Sequence, residues 1–142
     1  VDAEEKEAYY QEIIERRSNP STYYGHLGMH VKELGEGTSR MEMSVDNRLF
    51  NAGGVVHGGA LASIADAAIA AALSTIVDLN KEKMFTVEMK VNYMAPIRDG
   101  EIVTEAKIIQ RGKSVAVGES NVYDSDGRLA AKAIATYMIK ER

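Results

Sequence analysis

HGGALASIADAAIAAAL, His57 to Leu73, decides how the rest of the chain is read. It holds one carboxylate, Asp66, among residues that are almost all alanine, leucine, isoleucine and glycine. Such a run favours helix, and a helix apolar on every side belongs at the centre of a fold. The prediction is a central helix over residues 57–79. Aspartate is a poor residue for a helix interior and is costly to bury without a partner. Asp66 also lies too deep in the run to cap the helix. Either it serves a reaction, or it is a structural carboxylate bonded to Ser63 or to nearby backbone.

The run from Val55 to Val77 is about long enough to span a bilayer. It is alanine-rich, however, opens with His57-Gly58-Gly59, and places an acid near its middle, where a membrane penalises charge. A buried helix in a soluble protein is therefore expected, with no membrane partner. The 142 residues suit one domain over 1–142. Hydrophobic residues make up 45% and charged residues 27%, an ordinary globular balance. The net charge of −4 argues against nucleic acid, which favours a basic surface. No cysteine is present, so disulfides, thiol nucleophiles and thiolate metal sites are excluded. A reducing cytoplasm is the simplest setting. The start, VDAEEKEAYYQEIIERRS, has no basic segment leading into an apolar core, so it does not read as a secretory signal.

Residues 2–18 read as an amphipathic helix ended by SNPS, and YYGHLGMHVKEL (23–34) as extended. SRMEMSV alternates, with Met41, Met43 and Val45 on one face, and is a strand. DNRLFNAGGVVHGG is a loop into the central helix. MFTVEMKVNYMAP, EIVTEAKIIQ, SVAVGESNVY and RLAAKAIATYMI then read as four strands in a meander, with turns at RGK and DSDG. Ala106, Ala116, Gly118, Ala131, Ala133 and Ala135 are small enough to let a helix lie close to a sheet. The fold class is α+β: an antiparallel sheet curled around one helix, with an extra helix at the N-terminus.

NAGGVVHGGALASIAD and TVEMKVNYMAP, in this order of elements, resemble the hotdog-fold thioesterases, and within them the PaaI-like acyl-CoA thioesterases. The resemblance runs from about residue 24 to 139 and leaves the first helix outside. It implies hydrolysis of an acyl-CoA thioester to a carboxylic acid and free coenzyme A, with no cofactor and no metal. It also implies a homodimer, commonly paired into a tetramer. The site would take Asn51, His57 and Gly58 from one subunit and Asp66 and Thr86 from the other.

The residues themselves lead to a similar site. The start of a helix offers unpaired N–H groups and partial positive charge, and Gly58 and Gly59 let a ligand approach that backbone. A thioester oxygen gaining charge would be stabilised there. Asp66 would act as general base or as nucleophile. Gly58 and Asp66 are eight residues apart, about 12 Å along a helix, whereas catalytic contacts need about 3 Å. If both act on one carbonyl they come from two helices, and so from two copies of the chain.

Each candidate has a plainer alternative. His57 is a loop histidine that shapes the turn, Asn51 is turn chemistry, and Thr86 is a residue that suits a strand. The hairpin Arg111-Gly112-Lys113-Ser114, with Arg98, is basic on an acidic protein. It is a solvated turn or a place for coenzyme A phosphates. His26 and His30 have metal-ligand spacing for a helix, but Gly25 and Gly28 argue against a helix there and no third ligand is evident. Ser114 and Ser120 have no adjacent base, so no serine nucleophile is expected. Two other functions remain open: a non-catalytic acyl-CoA binding or regulatory module, and a hotdog dehydratase pairing a histidine with a carboxylate.

Overall fold

Asp2 caps the first helix, α1 (Ala3–Arg16), by accepting the Glu5 N–H at 2.8 Å. Glu4 and Glu5 suit its positive end. The computed structural model describes residues 2–142. The first half of the stretch expected to be extended is instead a short helix, α2 (Tyr23–Leu27). Gly25 is there for packing, since a Cβ would fall 2.0 Å from the Pro20 carbonyl oxygen. Gly28 then takes a left-handed conformation, φ 72°, and ends the helix.

Strand β1 (Met29–Gly35) turns into β2 (Thr38–Ser44), where Ser39, Met41 and Met43 face the core in the alternation read from the sequence. A single turn of 3-10 helix (Asn47–Leu49) and a loop closed by the Phe50–Val56 bridge lead into α3 (Gly58–Ser74). This helix stops short of the predicted Leu79, because hydroxyl groups take over its final carbonyls. Ser74 Oγ donates to Ala70 O and Thr75 Oγ1 to Ala72 O, both at 2.7 Å. The Tyr9 hydroxyl lies 2.9 Å from Ser74 O and 2.8 Å from Val77 O.

Four strands follow: β3 (Glu82–Tyr93), β4 (Glu101–Arg111), β5 (Val115–Tyr123) and β6 (Leu129–Glu141). The six strands form one antiparallel sheet in the order β1-β2-β4-β5-β6-β3. The expected meander holds for β4 to β6 and fails for β3, which lies at the sheet edge beyond β6. The connection after β3 bends across the head of α3: Met94 N–H bonds Ala130 O, and Val56 N–H bonds Ile97 O, each at 2.8 Å. It delivers β4 to β2 instead of closing a hairpin.

The sheet wraps α3 closely. Ile64, Ile69 and Leu73 are fully buried, each contributing about 1.5–3 kcal/mol. Ser39 Oγ donates to Ala68 O at 2.6 Å and Ser120 Oγ to Ala65 O at 2.7 Å, so the strands touch the helix backbone itself. A Cβ on Gly118 would meet Ile69 Cγ2 at 2.6 Å. By contrast β3 leaves Phe85 43%, Val87 48% and Tyr93 53% exposed. Among the described residues no helix is long and apolar enough to cross a membrane.

Candidate active site

Asp66 is half-buried on α3, facing the pair β3–β6. In that pair Thr86 stands opposite Tyr137, and opposed residues project from the same face of a sheet. Both reach Asp66. Thr86 Oγ1 donates to Asp66 Oδ1 at 2.8 Å, and the Tyr137 hydroxyl donates a short hydrogen bond to the same oxygen. A bulge interrupts the register between Thr86 and Glu88, of the kind that re-aims side chains beside sites. Burial, and then the Asp66 charge, push the Tyr137 phenol far above its ordinary range, so it remains a donor. Oδ2 of Asp66 takes no hydrogen bond among the described residues. The structural pairing with Ser63 is not observed: Ser63 Oγ bonds Gly59 O and the Tyr23 hydroxyl, each at 2.8 Å.

The head of α3 carries the other candidates. His57 is its N-cap, and Nδ1 accepts the Gly59 N–H at 2.7 Å. The Gly59 amide is thereby occupied. The Gly58 N–H has no acceptor among the described residues. The Tyr93 hydroxyl donates to Gly58 O at 3.1 Å. Crowding explains both glycines: a Cβ at 59 would lie 2.9 Å from His57 Nδ1, and one at 58 would lie 3.2 Å from the Tyr93 ring. Asn51 Oδ1 accepts the N–H groups of Gly53 at 2.9 Å and Val55 at 3.3 Å, so Asn51 does perform turn chemistry. Its amide N–H groups make no bond among the described residues.

Two cavities mark the two places. One of about 330 Å³ lies beside Gly58 and is lined by Leu61, Tyr93, Met94 and Pro96. The other, of about 440 Å³, opens from Asp66, Thr86 and Tyr137 toward Tyr23, Met84 and Phe85. Within one chain, Asp66 is brought to Thr86, and His57, Gly58 and Asn51 are gathered at the helix head. Asp66 lies eight residues after Gly58, a rise of about 12 Å along the helix.

The basic hairpin sits elsewhere. The Arg111 guanidinium pairs with Glu82 at 3.3 Å and bonds the Gly112 and Lys113 carbonyls. Gly112 closes the turn through its N–H to Val115 O at 2.8 Å, and the Ser114 carbonyl accepts from Ile139 N–H at 2.8 Å. Lys113 is exposed and forms no ion pair among the described residues. Arg98 is not its neighbour: the eleven residues of β4, about 33 Å of strand, separate them. His26 ends up in α2 and His30 in β1, so they share no helix. His30 instead meets Glu42 and Glu101, their ligand atoms within 4.8 Å of one another. Those carboxylates already have partners, Arg40 at 3.4 Å and Ser44 at 2.7 Å.

Sequence reasoning did not single out Tyr137 or the Tyr93 hydroxyl. A signal for Tyr137 exists: Ala131, Ala133, Ala135, Tyr137 and Ile139 occupy the inner face of β6, and Tyr137 alone has a polar tip.

A sequence model of the thioesterase superfamily matches residues 53–131. A putative esterase of Saccharolobus solfataricus is 31% identical over 82% of this chain and 76% of its own length. The 1,4-dihydroxy-2-naphthoyl-CoA hydrolase of Escherichia coli is 25% identical over 81% of this chain and 84% of its own. Among solved structures, a conserved protein of Pseudomonas aeruginosa superposes with a TM-score of 0.80 at 32% identity, covering 84% of this chain and 94% of that one.

Proposed function

The chain belongs to the thioesterase superfamily, with its hotdog fold, and from that membership we propose that it hydrolyses acyl-CoA thioesters to a carboxylic acid and free coenzyme A, as a PaaI-like member of the family. The observation that carries this reading is the preparation of Asp66. Two hydroxyl donors hold Oδ1, and Oδ2 is left to take a proton from water or to attack the thioester carbon itself. The oxygen of the attacked carbonyl gains negative charge as the carbonyl opens. The Gly58 N–H, at the positive end of α3, is the donor for it. As the carbonyl re-forms, the C–S bond breaks and coenzyme A leaves as thiolate. With water as the attacking group the acid is formed directly. With Asp66 as the attacking group, a water then hydrolyses the resulting anhydride to release the acid and restore Asp66.

If both groups act on one carbonyl, the span from Gly58 to Asp66 takes them from different copies. Asp66 and Thr86 of one protomer would face Asn51, His57 and Gly58 of its partner, giving two equivalent sites. Phe85, Val87 and Tyr93, exposed on the edge strand β3, support such a dimer, because an uncovered apolar edge invites pairing. Ile109, Val115 and Ile134, exposed on the sheet, support pairing of dimers into a tetramer. The named hydrolase among the relatives supports acyl-CoA as the substrate class. Lys113, in the turn with Gly112 and Ser114, is left to meet coenzyme A phosphates. Arg111 shapes that turn.

Thiol release from a panel of acyl-CoAs tests the proposal. Wild type turns over at least one of them. Asp66→Asn folds, elutes at the same size and loses roughly 100- to 10,000-fold in kcat, the range for a general base. Full activity in Asp66→Asn would falsify the catalytic role.

A further inference from the structure

Arg17, which caps the C-terminal end of α1, lines the Asp66 cavity from the side away from α3's head. Its guanidinium is fixed by neutral partners alone. Nε donates to Ser74 Oγ at 3.1 Å and Nη1 to the Tyr24 hydroxyl at 3.2 Å. Ser74 is fully buried and anchored in turn to Ala70 O at 2.7 Å. No carboxylate pairs with Arg17 among the described residues, nor with Arg98 or Arg142, whereas Arg16, Arg40, Arg48, Arg111 and Arg128 each have at least one. Two of its five N–H groups are used. Behind it lies a second cavity of about 230 Å³, lined by Arg16, Arg17, Lys83 and Arg142 and by no acid. Arg16 is paired with Glu12, but Arg17, Lys83 and Arg142 form no ion pair among the described residues, so the far end of the cleft is positive, and Arg17 is held there by two hydrogen bonds.

The near end is Asp66. From Asp66 to Ser74 is eight residues of α3, about 12 Å. Between them the walls are Tyr23, Tyr24, Met84, Phe85, Ala67 and Ala70. The cleft thus has a reacting carboxylate at one end, an apolar middle and an unpaired guanidinium at the other. An apolar acyl chain would leave that guanidinium without an anion in a partly closed site, a cost it does not bear with a carboxylate.

We propose that the Asp66 cleft receives the acyl group, and that Arg17, steadied by Tyr24 and Ser74, selects acyl groups ending in a carboxylate. The substrate class is the coenzyme A half-thioester of a dicarboxylic acid, long enough to reach from Asp66 to Arg17. The guanidinium meets the distal carboxylate through its remaining N–H groups, those of Nη2 and the second of Nη1, in a charge-assisted hydrogen bond. This rests on the thioesterase reading only for the chemical step; the selection is a binding property.

The test compares two acyl-CoAs of equal chain length, one ending in carboxylate and one in methyl. In wild type, kcat/KM favours the carboxylate-ended substrate by roughly 10- to 100-fold, the worth of a hydrogen-bonded charged group. Arg17→Gln abolishes that ratio and Arg17→Lys keeps part of it. The ratio is internal to each protein, so a loss of folded fraction does not move it. Calorimetric binding of both compounds to Asp66→Asn, with and without Arg17→Gln, reads the same preference without turnover. A preference in binding with no hydrolysis by wild type leaves the inference standing and removes the thioesterase reading. Equal binding of the two compounds, or a KM raised equally for both by Arg17→Gln, as when the cleft holds coenzyme A phosphates, overturns the inference and leaves the thioesterase reading intact.

Discussion

At its head α3 is satisfied mostly by residues next to it in sequence, with one donor from β3, whereas at Asp66, about two turns further on, both donors come from β3 and β6. His57 caps the Gly59 amide, Tyr93 covers the Gly58 carbonyl, and Asn51 closes its own loop. Of the backbone N–H groups in the first turn of α3, that of Gly58 is left over among the described residues. At Asp66 the helix supplies only the acid. Its orientation depends on a register that sets Thr86 opposite Tyr137, in segments 51 residues apart in sequence. Apart from Tyr93, the head is a local construction, and the Asp66 site is a tertiary one. Both fix polar groups in advance, which is what electrostatic stabilisation of the proposed reaction requires.

The largest test of this contrast removes the leftover N–H alone. Gly58 is the first residue of α3, where proline is tolerated because the N–H has no helical partner. His57, at φ −60° and ψ 135°, already has the backbone that must precede proline. Gly58→Pro should keep the fold, with some movement of Tyr93, and lower kcat by roughly 100- to 1,000-fold, the cost of one oxyanion donor. Co-expression with Asp66→Asn then asks where the two groups meet. In a random mixture half the dimers are mixed, and each holds one intact site of two, so about one quarter of wild-type activity returns. If purified mixed dimers stay as inactive as either parent, the site does not cross the dimer.

A smaller effect probes the tertiary side. Tyr137→Phe removes one donor from Asp66 and should lower kcat roughly tenfold, since bonds to charged groups contribute about 1.5–3 kcal/mol. The substitution also has a signature in pH. The folded protein holds the Tyr137 proton above the ordinary value of 10.0. The stability from that raised value is present below pH 10 and is lost as the pH climbs through the folded value. The wild-type melting temperature should therefore fall more steeply than that of Tyr137→Phe above about pH 10. Tyr9, raised in the same direction by burial, is common to both proteins and cancels in the comparison. Parallel curves would mean that the phenol is not held as described.

The same division between local and tertiary governs what could be read from the chain. The helix head was legible because its signals are adjacent: His57, Gly58 and Gly59 stand together, and the alanine run begins at once. Strands β2 and β4 to β6 were legible from alternation and turn residues. Asp66 and Thr86 were legible as an acid on an apolar helix and a hydroxyl in a matching motif. Tyr137 was not, because its role exists only once β6 lies beside β3. Nor was the place of β3, since alternation fixes the faces of a strand and says nothing of its neighbours. Gly25 misled because glycine was read as a helix breaker, whereas Pro20 leaves no room there for a side chain. The role of Arg111 in shaping its turn was not legible, because Glu82, its partner, lies 29 residues earlier.

The smallest effect separates the two duties of His57. As a cap it satisfies one amide of α3, and losing a cap costs about 1 kcal/mol. In a chain of this length that is a fall in melting temperature of roughly 3–5 °C for His57→Ala. His57→Asn keeps a side-chain acceptor at the capping position and should recover most of that loss. If the histidine only positions the Gly58 amide, His57→Asn also recovers most of the kcat lost in His57→Ala. If the ring itself meets the thioester or the water, stability returns and turnover does not. In that case the head of α3 does not act through its backbone alone, and the contrast with Asp66 narrows to the source of the donors.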